Sequence, residues 1–248
     1  MIMSKSTMFQ GYFKNFNEIN KSSNIFHNKK WISREFTKIK KLKNLKSHEI
    51  ILANDYPFLI ATSIIYDSNK LLKIIDFGGG FGMSYLQLTN GIKNLKKLKY
   101  YIVDIPEVCS VAKKNFKYNK NLFFMTKIPN IYNCDVFHYG SCLQYIDDWK
   151  MLLRKTCKLK PKYIIFSDLI AGDIKEFVTV QKFDDSKMPY RFYNIAKVIN
   201  FIKKFGYKLI LRNNYQVRFN GKPSDLPTKI FPKNSQLKNS SNLIFKKK

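Results

Sequence analysis

Histidine, cysteine and arginine are all scarce in this chain. Its three histidines, His27, His48 and His138, lie far apart and make no HExxH pair. Its four cysteines, Cys109, Cys134, Cys142 and Cys157, show no CxxC spacing and have no histidine pair nearby. The usual zinc patterns and a disulfide framework are excluded, so no metal is expected and the thiols are expected to be reduced and mostly buried. Long apolar runs are missing too. The longest, "YPFLIATSIIY", covers residues 56 to 66, well short of the roughly 20 residues that span a bilayer. The first residues hold no apolar stretch leading to a small-residue cleavage site, and a cytoplasmic setting is expected.

Acid is scarce as well. Against 45 lysines and arginines stand 17 aspartates and glutamates, a net charge of +28. Such a balance invites a nucleic-acid partner. Only five of the basic residues are arginine, however, and the lysines are spread along the whole chain. Phosphate and guanine recognition favours the two-pronged arginine fork. The charge is therefore read mainly as a solvated surface, with RNA, membrane surfaces and anionic substrates as the less favoured partners. An apolar fraction of 45% over 248 residues suits a globular chain with a full core.

What is present is an alternation. An amphipathic helix is expected from Trp31 to about Lys43, and a second helical region over residues 47 to 67, broken near Pro57. Short buried-strand patterns then alternate with helices. "LLKIIDF" (71 to 77) precedes a helix with Gly91 as its C-cap, and "LKYYIVDI" (98 to 105) precedes one that opens at Pro106. "NLFFMT" (121 to 126) and "CDVFHYG" (134 to 140) follow, then a helix capped by Asp147 or Asp148. "KYIIFSDLI" (162 to 170) is separated from its helix by a long connection, residues 169 to 193, read as a lid. "YKLILRN" and "SNLIFKK" close the series, joined by a linker-like region from 219 to 240. The pattern predicts an α/β fold: a Rossmann-like, seven-stranded, mostly parallel sheet with helices on both faces and an antiparallel C-terminal edge hairpin. Residues 1–67 are expected as a helical N-terminal cap, and 68–248 as the main domain.

In such sheets ligands bind beyond the carboxyl ends of the strands. There the chain places "DFGGGFG", residues 76 to 82. A dinucleotide GxGxxG fails in both registers, because Met83 and Tyr85 stand where the third glycine belongs. The register Asp76-x-Gly78-x-Gly80-x-Gly82 fits throughout. Asp104, ending the second strand, is either a carboxylate for a vicinal diol or an acid at a helix N-terminus.

"DFGGGFG" with "VDIPEV" resembles motif I and the following acidic strand end of class I S-adenosylmethionine-dependent methyltransferases. More narrowly, Trp31, "DFGGGFGMSYLQ", "SCLQYIDDW" and "VQKF…MPYRFY" resemble a bacterial methyltransferase family of unsettled substrate, associated with surface-polysaccharide genes. The resemblance implies S-adenosyl-L-methionine as cofactor. It implies Asp76, Gly78, Gly79, Gly80, Gly82, Asp104, Ile105, Gly140 and Ser141 as the residues around it. Small-molecule O-methyltransferases have a similar Asp-Leu-Pro segment, but the histidine base they often place after the fifth strand is missing here. Asp168, at the end of that strand, is the candidate base or orienting carboxylate, or else a loop cap. Gln144 and Tyr145 are candidates to orient a substrate, whereas His138 sits mid-strand and reads as core. In the lid, Gln181, Tyr190 and Arg191 are the candidate substrate contacts, Arg191 for a phosphate or carboxylate. O-methylation of a saccharide or similar metabolite is the expected reaction. RNA methylation lacks the Asn/Asp-Pro-Pro-aromatic segment, "HYGSCLQY" standing in its place, and a non-catalytic binding domain would have no need of the glycines.

Overall fold

The computed structural model describes residues 8–19, 25–43, 56–92, 95, 97–117, 119–183, 186–219 and 222–248. The first part of the helical region expected over 47 to 67 lies outside the described residues. The first element among the described residues is a strand, β1 (Phe9–Phe13), followed by short turns at Phe16–Glu18 and Ile25–His27 and by helices α1 (Lys29–Lys43) and α2 (Tyr56–Ile65). Pro57 lies in the first turn of α2, where a missing N–H leaves no bond unmade, so it opens the helix. Then come β2 (Leu72–Phe77), α3 (Met83–Gly91), β3 (Leu98–Val103), α4 (Pro106–Asn115), β4 (Leu122–Met125), β5 (Val136–Gly140), α5 (Trp149–Lys158) and β6 (Tyr163–Leu169). Gly91 is the last residue of α3 and Ile92 takes the cap. Of the two aspartates before α5, Asp148 is the cap, accepting the Met151 N–H at 3.0 Å.

The chain ends through β7 (Ala171–Gly172), β8 (Phe177–Phe183), β9 (Ser186–Asn194), α6 (Ile195–Lys203), β10 (Tyr207–Tyr215), β11 (Arg218–Phe219), β12 (Lys222–Pro223) and β13 (Ser240–Lys247). The main sheet has seven strands in the order β10-β13-β6-β5-β2-β3-β4. Only β13 runs against its neighbours, so the reversed strand lies one place in from the edge. One core packs α5 and α6 on the sheet, through Trp149, Leu153, Val198 and Ile202. The other packs α1 to α4 on the opposite face, through Ile39, Phe58, Leu88 and Val108.

The connection expected as a lid over 169 to 193 is largely strand. β8 and β9 form an antiparallel hairpin, and β1 pairs with the outer edge of β8. The linker-like region also departs from its expectation, since Leu226 and Phe231 are buried beneath this hairpin with Phe9, Phe177 and Phe192. Both segments carry apolar residues whose partners are distant in sequence, which local composition does not reveal.

A polar chain crosses the main sheet. The Tyr100 hydroxyl donates to Asp76 Oδ2 at 2.7 Å, His138 Nδ1 lies 2.8 Å from Asp76 Oδ1, and His138 Nε2 lies 2.9 Å from Ser167 Oγ. All four side chains are buried, and the Phe58 ring stacks on the imidazole at 4.3 Å. Asp76→Ala strands two buried donors and is expected to cost about 3–5 kcal/mol. Tyr100→Phe removes one donor from a carboxylate that keeps another, and is expected to cost about 1–2 kcal/mol. Urea unfolding separates the two. Equal losses would show that Asp76 is not the hub of the chain.

Candidate functional site

From β2 the chain turns through Gly78, Gly79, Gly80, Phe81 and Gly82 into α3. Gly78, Gly80 and Gly82 have φ of +71°, +57° and +89°, in the left-handed region that favours glycine. A Cβ on Gly78 would lie 2.5 Å from the Cys142 Cβ, and one on Gly79 would lie 2.5 Å from Asp76 Oδ2. Gly80 differs, because a Cβ there meets nothing within 4 Å among the described residues. The fold itself forbids side chains at 78 and 79. At Gly80 the space is open, and backbone is presented to it.

Asp104 follows β3 and joins this loop. Its Oδ2 accepts the Gly80 N–H at 2.8 Å and its Oδ1 accepts the Ile105 N–H at 2.8 Å. Burial pushes its pKa above the ordinary value. The N–H groups of Ile105 and Gly80 pull it down in part, and the charge of Asp76 raises it further. Each carboxylate oxygen makes one of these bonds and has a second lone pair, as recognition of a diol requires.

A cavity of about 190 Å³ lies between this loop and α1. Trp31, Glu35 and Ile39 of α1 roof it, and Gly78, Gly80, Gly140 and Ser141 are among its lower lining. This roof is missing from the sequence reading: the spacing of α1 shows a buried face but not what that face covers. A larger groove of about 740 Å³ opens beside the amino end of β4, lined by Lys114, Lys117 and Lys120. The smaller cavity, at the carboxyl ends of the strands, is the one beside the chemically useful groups.

Ser141 and Asp168, directly after β5 and at the end of β6, both have positive φ, +49° and +55°. Non-glycine residues rarely adopt this conformation, and such strain concentrates at functional sites. The two side chains meet, Ser141 Oγ donating to Asp168 Oδ2 at 2.8 Å. Gln144 Nε2 donates to Ser141 Oγ at 3.1 Å, and the Asp168 N–H donates to Asn242 Oδ1 at 2.8 Å. Asn242 is a second residue missed from sequence; its signal is a polar side chain within the apolar last strand. The Tyr145 hydroxyl donates to Gln181 Oε1 at 2.9 Å, and the Tyr145 and Tyr190 rings meet edge-on at 5.2 Å. Burial and the charge of Asp168 both raise the pKa of each phenol, so these hydroxyls stay protonated at neutral pH. Asp168, Ser141, Gln144, Tyr145, Gln181 and Tyr190 thus form one cluster beside the glycine loop.

Arg191 does not join it. Its guanidinium reaches Asp147 at 3.1 Å and Glu176 at 3.2 Å, with its centre 4.9 Å from the Phe16 ring. His138, expected as core, is fully buried in the polar chain below the loop.

No sequence family and no curated protein sequence matches this chain. Solved structures do match in fold. An S-adenosylmethionine-dependent methyltransferase from Methanosarcina mazei aligns over 77% of this chain and 97% of its own, with a TM-score of 0.55 at 10% identity. The 1,6-didemethyltoxoflavin-N1-methyltransferase of Burkholderia thailandensis, solved with 1,6-didemethyltoxoflavin and S-adenosylhomocysteine, aligns over 93% of each chain, with a TM-score of 0.53 at 12% identity. A Mesorhizobium loti S-adenosylmethionine-dependent methyltransferase covers 79% of this chain and 98% of its own, with a TM-score of 0.51 at 13% identity. The chain has the fold of these enzymes. Among its described residues, no helix is long and apolar enough to cross a membrane.

Two alanine substitutions separate the fold's need for glycine from the ligand's. Gly78→Ala combines a left-handed backbone with a steric clash and is expected to cost more than about 2 kcal/mol of stability. Gly80→Ala should cost only the left-handed strain, about 1–2 kcal/mol, yet abolish binding of S-adenosylhomocysteine. Thermal melts and calorimetric titration read both. Unchanged binding by Gly80→Ala would show that the open space is not the ligand's.

Proposed function

We propose that this chain, built on the fold of S-adenosylmethionine-dependent methyltransferases, is itself such an enzyme. Its acceptor is an oxygen of a small hydroxyl-bearing metabolite, with saccharides the first class to try. The observation that carries the reading is the junction of Gly80 and Asp104. A bare backbone faces open space there, and beside it a half-buried carboxylate is held by two N–H groups. These residues fit the cofactor. Asp104 and Ile105 would hold the ribose, and Asp76, Gly78, Gly79, Gly80, Gly82, Gly140 and Ser141 would surround the amino-acid end. Residues 68–248 are taken as the catalytic domain and 1–67 as its cap.

When bound, S-adenosylmethionine supplies an electrophilic methyl carbon on a sulfonium. Asp168 receives the proton that the acceptor hydroxyl gives up as its oxygen is methylated. Ser141 holds that carboxylate in one orientation, and Asn242 pins its backbone. Tyr145 and Tyr190 remain protonated and act as walls and donors rather than as bases. Much of the acceleration would come from positioning. The amide-and-tyrosine character of the cluster supports a polyhydroxyl acceptor, in agreement with the resemblance to a family associated with surface-polysaccharide genes.

Calorimetric titration with S-adenosylmethionine, S-adenosylhomocysteine and NAD tests this reading. The first two are expected to bind with micromolar affinity and NAD not at all, and Asp104→Asn should weaken binding by about tenfold to a hundredfold. Folded protein that binds neither would overturn the reading. The pH dependence has a definite sign. Only ionised Asp104 accepts from both ribose hydroxyls, and its pKa is raised. Affinity should therefore fall on acidification from a pH above the ordinary aspartate range. The pH dependence of folding stability from this group runs the other way: burial penalises the charged form, and the penalty is relieved as pH falls through the raised value. Titrations from neutral to mildly acidic buffer measure the midpoint, and one at or below the ordinary aspartate value would contradict the burial of Asp104.

A further inference from the structure

Helix α1 carries seven lysines and arginines and one acid, Glu35. Trp31, Glu35 and Ile39 are spaced by four residues, which puts them on one stripe of the helix. All three line the cavity over the glycine loop. The apolar members dock the stripe there. The Trp31 ring meets the Phe81 ring at 6.0 Å, and Ile39 is buried in the core that α1 shares with α2, α3 and α4. Glu35, between them, is turned further from water than its neighbours, its side chain being 24% exposed against 57% for Lys38 and 41% for Arg34. An inward stripe of this kind is ordinarily apolar throughout, because a carboxylate drawn out of water needs compensation.

Two cations on the same helix supply part of that compensation. Lys38 Nζ donates to both Glu35 oxygens, at 2.8 and 3.0 Å, and Arg34 Nε reaches Oε1 at 3.4 Å. Exposed pairs of this spacing hold a side chain loosely. Among the described residues Oε2 takes one donor, and a second lone pair there has room for another. The rest of the lining narrows what that donor is. Asp76, below Gly79, is fully buried and engaged by Tyr100 and His138. Glu35 is therefore the accessible carboxylate among the described residues of the lining. The cavity, about 190 Å³ and lined by neither Asp104 nor Ile105, is smaller than the roughly 300–1,000 Å³ of a site that takes a whole small ligand. It suits one end of the cofactor, the amino-acid end, with the ribose left to Asp104. That end carries an ammonium, a group with donors and no acceptor.

We propose that Glu35 binds the ammonium of the cofactor's amino-acid end, which makes α1 part of the cofactor site. This rests on the methyltransferase reading above. The test titrates the full chain with S-adenosylhomocysteine and with its deaminated analogue, which keeps the nucleoside, the thioether and the carboxylate. Because a charge-assisted bond is at stake, the native chain is expected to bind S-adenosylhomocysteine at least about tenfold more tightly than the analogue. Glu35→Gln should weaken S-adenosylhomocysteine by about tenfold or more and leave the analogue within about threefold. Lys38→Ala breaks the pair within the helix but keeps the carboxylate, and should leave both affinities within about threefold. Equal binding of the two ligands by the native chain would overturn the proposal. So would a Glu35→Gln variant that loses nothing, or that loses both ligands equally. A Lys38→Ala loss as large as that of Glu35→Gln would also overturn it, by assigning Glu35 to the stability of α1. Failure of S-adenosylhomocysteine to bind the folded native chain would instead remove the methyltransferase reading beneath it.

Discussion

A carboxyl group buried in the middle of a parallel sheet must find hydrogen-bond partners, and Asp76 finds them on both neighbouring strands. Tyr100 comes from β3 and His138 from β5, and the imidazole carries the chain on to Ser167 of β6. Four strands are thereby tied by side chains as well as by backbone. The same carboxylate fills the space beneath Gly79 and forbids a side chain there. The loop above it is held in shape from below, and the Gly80 N–H is aimed at Asp104 as a result. A polar group that an apolar core would exclude is thus what sets the backbone at the proposed cofactor site.

The two halves of the site are organised differently. On the glycine side the strain is carried by glycine, which adopts positive φ at little cost. On the proposed acceptor side it is carried by Ser141 and Asp168, whose left-handed backbones are joined by the hydrogen bond between their side chains and by the bond from the Asp168 N–H to Asn242. One half is built from permissive residues and the other from residues that must be restrained. The sheet built from β1, β8, β9 and β7 meets this side through the Tyr145 to Gln181 bond, in the turn that follows β5.

The parallel sheet was legible because buried strands read as short apolar runs between turn signals, as in residues 72 to 77 and 98 to 103. The glycine register and Asp104 were legible together, since spacing alone rejects the dinucleotide pattern. What was hidden depends on distant pairing. Arg191 reads as a free cation because Asp147 and Glu176 are 44 and 15 residues away, and nothing local links them to it. The β8 and β9 strands alternate in composition, yet their neighbour β1 begins near the other end of the chain. The roof over the cavity was visible as an amphipathic helix, but amphipathicity does not say against what a face is buried.

The pairing of β1 with β8 also shapes the order of assembly. Thr179 reaches back 168 residues to the carbonyl of Gly11, so this contact has very high contact order and closes late. During synthesis, at roughly 5–20 residues per second, β1 leaves the ribosome on the order of ten seconds before its partner exists. For that interval the growing chain carries a short unpaired strand containing Phe9 and Tyr12. The glycine loop and its carboxylates can form before then, whereas the wall of the proposed acceptor site cannot be completed until most of the chain has emerged.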